Sequence, residues 1–422
     1  MSVSRGVRAA SAALVIVALA GCWPAEGYGP DRTGHNALED ELTIANVASL
    51  EVEWEAAPVA GPVFGVVTNG SVVVSNNGAY MRGYSARTGE ERWSIGPSYR
   101  SIPFLHPLID DDLVYVPSQV VTVSTSAVDL RTGAAVAPQI GGKVSAVRGS
   151  ERLVSQAVPK PDYSGGTYSF QVEDPSDPGA SWGGVTHVQQ GLAADESPRL
   201  TLGEGVVFST GHGLLATAPG DGTSGVGVRS FPAGGPATCG AVDNPVYACP
   251  GWVAALPGTQ ATPAVIGSGG DRLYVATDAG TVHAVDAATG AIDWTADLGA
   301  PIVDPPALAE GSLFVPVSTG GVAVLPADGC GAAECGPGWT ATTGTAVAAQ
   351  PSVAGGVVYV ATQGGSLQAF AAAGCDATVC DPVWSADLGS AVRTSVVSNG
   401  RVIVGTQGGR LVSFSPTEVA AG

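Results

Sequence analysis

The sequence predicts an all-β protein, an eight-bladed β-propeller whose last blade is closed by a strand from the N-terminal side. Three observations point there. Gly and Pro number 60 and 30 in 422 residues and charged residues make up 13%, a composition of many turns and short apolar runs rather than of disorder. A unit of about 45 residues with four short strand-like runs recurs, the size and strand count of one propeller blade. Tryptophans mark the units: Trp54, Trp93, Trp182, Trp252, Trp294, Trp339 and Trp384 stand 39, 89, 70, 42, 45 and 45 residues apart.

The clearest unit runs from Thr345 to Gly389. It holds a Pro351–Val353 run, VVYVAT, an alternating SLQAF, a cysteine-bracketed loop and a strand opened by Trp384, with Gly-Gly turns between. LYVAT at Leu273 and VIVGT at Val402 occupy the place of VYVAT at Val358, as buried strands with β-branched and aromatic residues do. The interval of 89 counts as two repeats, with Pro138 near the missing anchor, and that of 70 as one repeat with an insertion. Eight units result. The last, with RVIVGTQGGRLVSF from Arg401, stops before its outer strand, while LEVEW (Leu50 to Trp54) is a spare outer strand at the other end. Joining the two closes the ring and leaves no unpaired radial end.

The hairpin before each outer strand has two chemistries. Asp286 to Gly290 is D-x-x-T-G, in which the Asp side chain accepts backbone N–H groups and Gly takes a positive φ. Asp129 to Gly133 repeats it, and Ser85 to Gly89 repeats it with Ser. Elsewhere the hairpin is lengthened and bracketed by cysteines: Cys239 with Cys249, Cys330 with Cys335, Cys375 with Cys380. Each pair sits in one loop just before a tryptophan, so neighbour pairing as disulfides is expected; a zinc site would need four ligands at one point. Disulfides imply an oxidising, extracytoplasmic space.

The N-terminus reads as a targeting segment. Arg5 and Arg8 precede an apolar run, Ala9 to Leu19, too short to span a bilayer as a mature helix. It ends in Leu19-Ala20-Gly21-Cys22, which resembles the bacterial lipobox, in which the cysteine is lipidated and becomes the new N-terminus. Residues 1–21 are thus expected to be a signal peptide and Cys22 a lipid anchor. Residues 22–49 are expected to be a tether and entry segment, a solvated wrap with one helical turn between Thr43 and Leu50. The propeller would cover residues 50–416, with a short tail at 417–422.

The W-x-A-D-L-G motifs at Trp294 and Trp384, D-A-x-T-G-x-x-x-W from Asp286 and V-Y-V-A-T-x-x-G-x-L from Val358 resemble the repeats of the pyrroloquinoline-quinone-type (PQQ-like) propeller superfamily. The resemblance is clearest from Ala261 on and poorest from Gln139 to Pro236. It implies the fold of quinoprotein alcohol dehydrogenases and of propeller lipoproteins similar to the one in the outer-membrane protein assembly machinery. The motif residues make turns and blade contacts, so they specify fold rather than activity.

Catalytic equipment is hard to find. The five histidines, His35, His106, His187, His212 and His283, form no metal-ligand motif, and no G-x-S-x-G occurs. Asp110-Asp111-Asp112 reads as a turn between strands. His283 reads as a polar strand position on the same alternating face as Gln368 and Ser413. The resemblance would require of a quinone enzyme a carboxylate base, calcium ligands and usually two adjacent cysteines, and no adjacent cysteines are present. Aligning the blades gives a ring of channel-mouth positions: Phe64, His106, Val144, Arg199, Thr262, Pro305, Gln350 and Thr394. It holds no Asp or Glu, the hard oxygen ligands that calcium takes.

The expectation is therefore a non-enzymatic, membrane-anchored scaffold without cofactor, monomeric, meeting other envelope or surface proteins. A PQQ-dependent oxidoreductase and a small-ligand or carbohydrate-binding propeller are the alternatives. The net charge of −19, with Lys143 and Lys160 as the only lysines, argues against nucleic acid. The irregular loops between Val158 and Cys249 carry Tyr163, Tyr168 and Trp182, aromatic residues of the kind that anchor interfaces.

Overall fold

A computed structural model of the chain describes residues 22–56, 61–96, 106–119, 123–136, 139–159, 166–177, 179, 181–188, 199–212, 226–234 and 250–417. Eight antiparallel sheets follow one another along the chain as eight blades. Blade 1 begins with the innermost strand Gly65–Thr68, blade 2 with Leu108–Asp110, blade 3 with Lys143–Arg148 and blade 4 with Arg199–Gly203. Blades 5 to 8 begin with Val265–Ile266, Ala307–Ala309, Ser352–Ala354 and Val392–Ser398. The eighth blade has Val392–Ser398, Arg401–Thr406 and Leu411–Pro416 from the C-terminal side. Its fourth strand is Leu50–Glu55, paired antiparallel with Leu411–Pro416 so that Leu50 faces Pro416. The closure read from LEVEW is the closure observed.

The strands are short and apolar because both faces are covered. Val357–Ala361 is buried at every residue, as expected of a strand packed between neighbouring blades. The core is accordingly a set of clusters between blades. Phe314 and Val324 of blade 6 pack with Val358, Val360 and Phe370 of blade 7, and Tyr274 and Trp294 of blade 5 with Leu313 and Leu325 of blade 6.

Around the rim, blades are joined by a tryptophan set on the next blade's hairpin glycine. In the D-x-x-T-G turn, the Asp286 carboxylate accepts the amides of Ala288 and Thr289 at 3.1 and 2.8 Å and the Thr289 hydroxyl at 2.7 Å. Gly290 follows at φ 76°. A Cβ on Gly290 would stand 2.5 Å from the Trp252 ring of the preceding blade, whose Nε1 donates to Ala287 O at 2.9 Å. Trp54 sits in the same way on Gly89, and Trp93 on Gly133, with Nε1 donating to Ala86 O and Leu130 O. The glycine therefore has two reasons to be there, backbone conformation and the approach of an indole. Only the first is legible in the turn motif.

The cysteine-bracketed hairpins reach the same neighbour differently. Cys330–Cys335 and Cys375–Cys380 are disulfides. The second loop supplies the two-residue strand Val379–Cys380, which pairs parallel with Trp339–Thr342 of blade 6. In the first, the Thr295 amide donates to Ala333 O at 2.9 Å and the Cys335 amide to Thr295 O at 2.8 Å, so it borders blade 5. Each loop covers an outer strand edge that would otherwise be open to pairing. Cys239, Cys249 and Pro138 lie outside the described residues.

Candidate functional site in the channel

Residues 22–36 depart from the expected solvated wrap: they run into the centre of the ring. Trp23, 3% exposed, exchanges two backbone hydrogen bonds with Thr68 of blade 1, at 2.7 and 2.9 Å. Amides of the innermost strands then donate inward to this segment. Ile109 donates to Pro24 O, Ile266 to Asp31 O, Leu308 to Thr33 O and Val353 to Gly34 O, at 2.7, 2.9, 2.7 and 2.8 Å. His35–Asn36 adds a parallel strand to blade 7. The reason is elementary. Innermost strands offer unpaired N–H groups to the channel, and a polar, Gly-containing segment is what can satisfy them there.

Two glycines let the segment fit. Gly27 and Gly34 have φ of 72° and 64°. A Cβ would lie 2.9 Å from Gln350 Oε1 at Gly27 and 2.8 Å from Pro351 O at Gly34. Asn36 is fully buried. Its Nδ2 donates to Val397 O and Cys22 O, and its Oδ1 accepts from Tyr28 and from the Leu38 amide. Arg148 pairs with Asp31 and donates to Leu202 O. Asp31, His35 and Asn36, together in the sequence, thus face different partners.

At the tip of the hairpin Ala25–Tyr28 stands Glu26, and around it the channel is cationic. His106 Nε2 lies 3.4 Å from one carboxylate oxygen and Arg32 Nη1 3.4 Å from the other. Enclosure by the channel wall would raise the Glu26 carboxyl, but the positive charges of His106, Arg32, Lys143 and Arg199 outweigh it and hold it at about 2. Glu26 keeps 46% of its side chain accessible, so water on the open side of the channel screens these charges. Burial pushes the His106 imidazole and the Lys143 ammonium below their ordinary values, against the pull of Glu26. Asp304, one residue before the ring position Pro305, is pushed up to about 6 by burial, which Arg199 opposes. A ring read as free of carboxylates is therefore supplied with one by the N-terminal segment and flanked by another.

The structure brings four of the ring candidates to residues 22–36, which plug the channel. His106 packs against Gly65, whose Cβ would stand 2.6 Å from Nδ1, and meets Glu26. Arg199 lies close enough to lower both Glu26 and Asp304. Gln350 Nε2 donates to Arg32 O and Pro306 O, both at 2.8 Å, tying plug to wall. Val144 shares a buried cluster with Ala25 of the segment and Leu108 of blade 2. The rest serve the blades: the Phe64 amide donates to Asn76 O, and buried Thr262 accepts the Ala276 amide on Oγ1 and the Thr210 hydroxyl of blade 4 on its carbonyl. Pro305 is half-buried, and Thr394 packs against Gly405. Between the plug and blades 2 and 3 lies a cavity of about 30 Å³, lined by Pro24, Glu26, Arg32, Ile109 and Ala146 among others. That is room for a water molecule or two. Among the described residues no three His, Cys, Asp or Glu side chains gather as metal ligands.

Of the loop candidates, Tyr163 lies outside the described residues, and only the backbone of Tyr168 is described, in the strand Gly166–Glu173. Trp182 is half-buried and meets Phe170 edge-on with ring centroids 6.4 Å apart, so it is a blade anchor rather than a free aromatic edge. Asp111 takes φ 50° in the turn read from Asp110-Asp111-Asp112. His283 is 4% exposed.

Eight blades of four strands each, two of them carrying an added fifth, make an eight-bladed propeller closed by the N-terminal strand, and its repeat turns are similar to those of PQQ-like propellers. Its C-terminal blades carry the sequence match: residues 250–329 and 331–418 fit the model of a family described as outer membrane protein assembly factor BamB. Among solved structures, the chain resembles a quinohemoprotein alcohol dehydrogenase from Comamonas testosteroni. That likeness has 12% identity and a TM-score of 0.64 over 94% of this chain and 81% of that one. A europium-containing methanol dehydrogenase gives the same identity and score over 94% and 98%. The computationally designed Ika8 protein matches at 12% identity and a TM-score of 0.59, over 86% and 99%. At these identities the likeness is one of fold. No curated protein matches the chain.

Proposed function

We propose that this protein is a lipid-anchored, extracytoplasmic propeller that binds other envelope proteins and carries out no chemistry. The observation that carries the reading is the channel, occupied by the chain's own residues 22–36 with a carboxylate already set among cations. A calcium–quinone centre does not fit there. Glu26 and Asp304 lie among Arg32, Lys143, Arg199 and Arg393, whose charges disfavour a dication. The cavity beside Glu26 is about 30 Å³, far below the several hundred that a cofactor site needs. The two disulfides support an extracytoplasmic location. The family match supports a part in assembling envelope proteins, and Leu19-Ala20-Gly21-Cys22 supports the anchor.

Crosslinking in native membranes, followed by identification of the captured proteins, tests the scaffold. Discrete envelope-protein partners are expected; capture of none contradicts it. Replacing Tyr163 and Tyr168 by Ser is expected to weaken capture at an unchanged melting temperature. If capture survives, the binding edge lies on other blades.

A further inference from the structure

We propose that the side of the ring where residues 22–36 enter the channel is a membrane-docking face, lying against the bilayer with the opposite side turned away. This rests on the lipid anchor proposed above. A free segment of residues 22–49 would reach roughly 30 Å and would let the ring turn either side to the membrane. The structure leaves no such slack. Cys22 O accepts the buried Asn36 side chain at 3.3 Å, and the next residue, Trp23, is locked to Thr68 by two backbone hydrogen bonds. An acyl group on Cys22 therefore starts within one residue of a rigid wall.

The side is fixed by topology. Thr68 ends an innermost strand, so Cys22 lies on the side of the turns between first and second strands. Strands alternate in direction, so the hairpins between third and fourth strands lie on that side too. From Asn36 the chain crosses it over the first turns of blades 7 and 8. Leu42 O occupies the space a Cβ on Gly355 would need, and the Glu39 carboxylate accepts the Gly400 amide.

Exposed apolar side chains gather on the same side. Of the large hydrophobic residues left exposed among the described residues, Leu38 (50%) and Ile44 (49%) stand on this crossing segment. Val136, Ile292, Val379 and Val383 stand in or beside third-to-fourth-strand hairpins. Val52 (54%) stands within the outermost strand of blade 8, Leu50–Glu55, at the rim, and Val303, in an inter-blade connection, is on the other side. Exposed Asp40 and Glu41 accompany Leu38, so the surface offers a lipid bilayer apolar contact around an anchor rather than attraction to anionic headgroups.

The test uses the full-length lipoprotein in phosphatidylcholine vesicles containing a spin-labelled lipid. An environment-sensitive dye is placed at Leu38→Cys, Ile44→Cys or, on the opposite side, Gln363→Cys. Several-fold stronger quenching at 38 and 44 than at 363 is expected. Equal quenching at the three positions, with mass spectrometry showing an acylated Cys22, overturns the docking face and leaves the anchor standing. An unacylated Cys22 overturns the anchor and the docking face with it. Gly34→Val, whose Cβ would meet Pro351 O, is expected to stay on the vesicles but lose the contrast between the two sides; a folded variant that keeps full contrast contradicts the plug as the orienting element.

Discussion

His283 is a side chain whose protonation the fold resists. Its Nε2 lies 2.8 Å from Thr281 Oγ1, its Nδ1 is buried without a partner, and burial lowers the imidazole to about 4. An unfolded histidine titrates near 6.5, so the folded form favours the neutral ring. Stability from this residue is complete above about pH 6.5 and declines as pH falls toward 4, by about 3 kcal/mol. His283→Gln is expected to flatten that decline, because Gln368 already serves the equivalent position in blade 7, donating to Ser366 Oγ at 3.1 Å. Urea midpoints at pH 7 and 4.5 check it; an unchanged decline contradicts the assignment. Glu26 has the opposite sign of shift. Its carboxylate is favoured in the fold, with that stability present above about pH 4.3 and lost as pH falls through about 2. Glu26→Gln should lower the melting temperature at pH 7, with the gap to the parent protein closing toward pH 2. His283 was legible as a polar strand position because alternation puts it on one face with Gln368 and Ser413. Glu26 was not. Its segment has no periodicity, and Lys143 and Arg199 come from strands far along the chain.

The elements hold together by contacts that a single repeat does not reveal. The D-x-x-T-G hairpins read from Asp129 and Asp286 have the geometry that their side chains dictate. That the closing glycine seats the previous blade's tryptophan appears only when two blades stand side by side. Gly290→Ala would force a Cβ into the Trp252 ring at a positive φ. The expected cost is about 2–4 kcal/mol, strain and overpacking together, read as a lower urea midpoint. The disulfides were legible from spacing, but not their use as a cover for the neighbouring blade. Opening Cys375–Cys380 removes on the order of 2 kcal/mol of loop-closure stabilisation and frees Val379–Cys380 from blade 6. Amide exchange at Thr340, which donates to Thr378 O, should then accelerate while that of the central strand Val357–Ala361 does not change. Equal protection at Thr340 in the oxidised and reduced protein would contradict the clasp.

At the scale of the whole molecule, the ring is closed twice. Leu50–Glu55 completes blade 8 at the rim, and residues 22–36 join blades 1, 2, 5, 6 and 7 at the axis. The first closure was readable, because a spare strand at one end matched a missing strand at the other. The second was not, since hydrogen bonds from strand amides to a channel segment leave no pattern in side-chain identity. Together they place residues 22–36 inside the channel as part of the closed ring. The most direct test is a titration of the purified protein with pyrroloquinoline quinone and calcium, followed by absorbance and dye-linked alcohol oxidation. No saturable quinone complex and no turnover are predicted. A stoichiometric complex that oxidises alcohols would contradict the account.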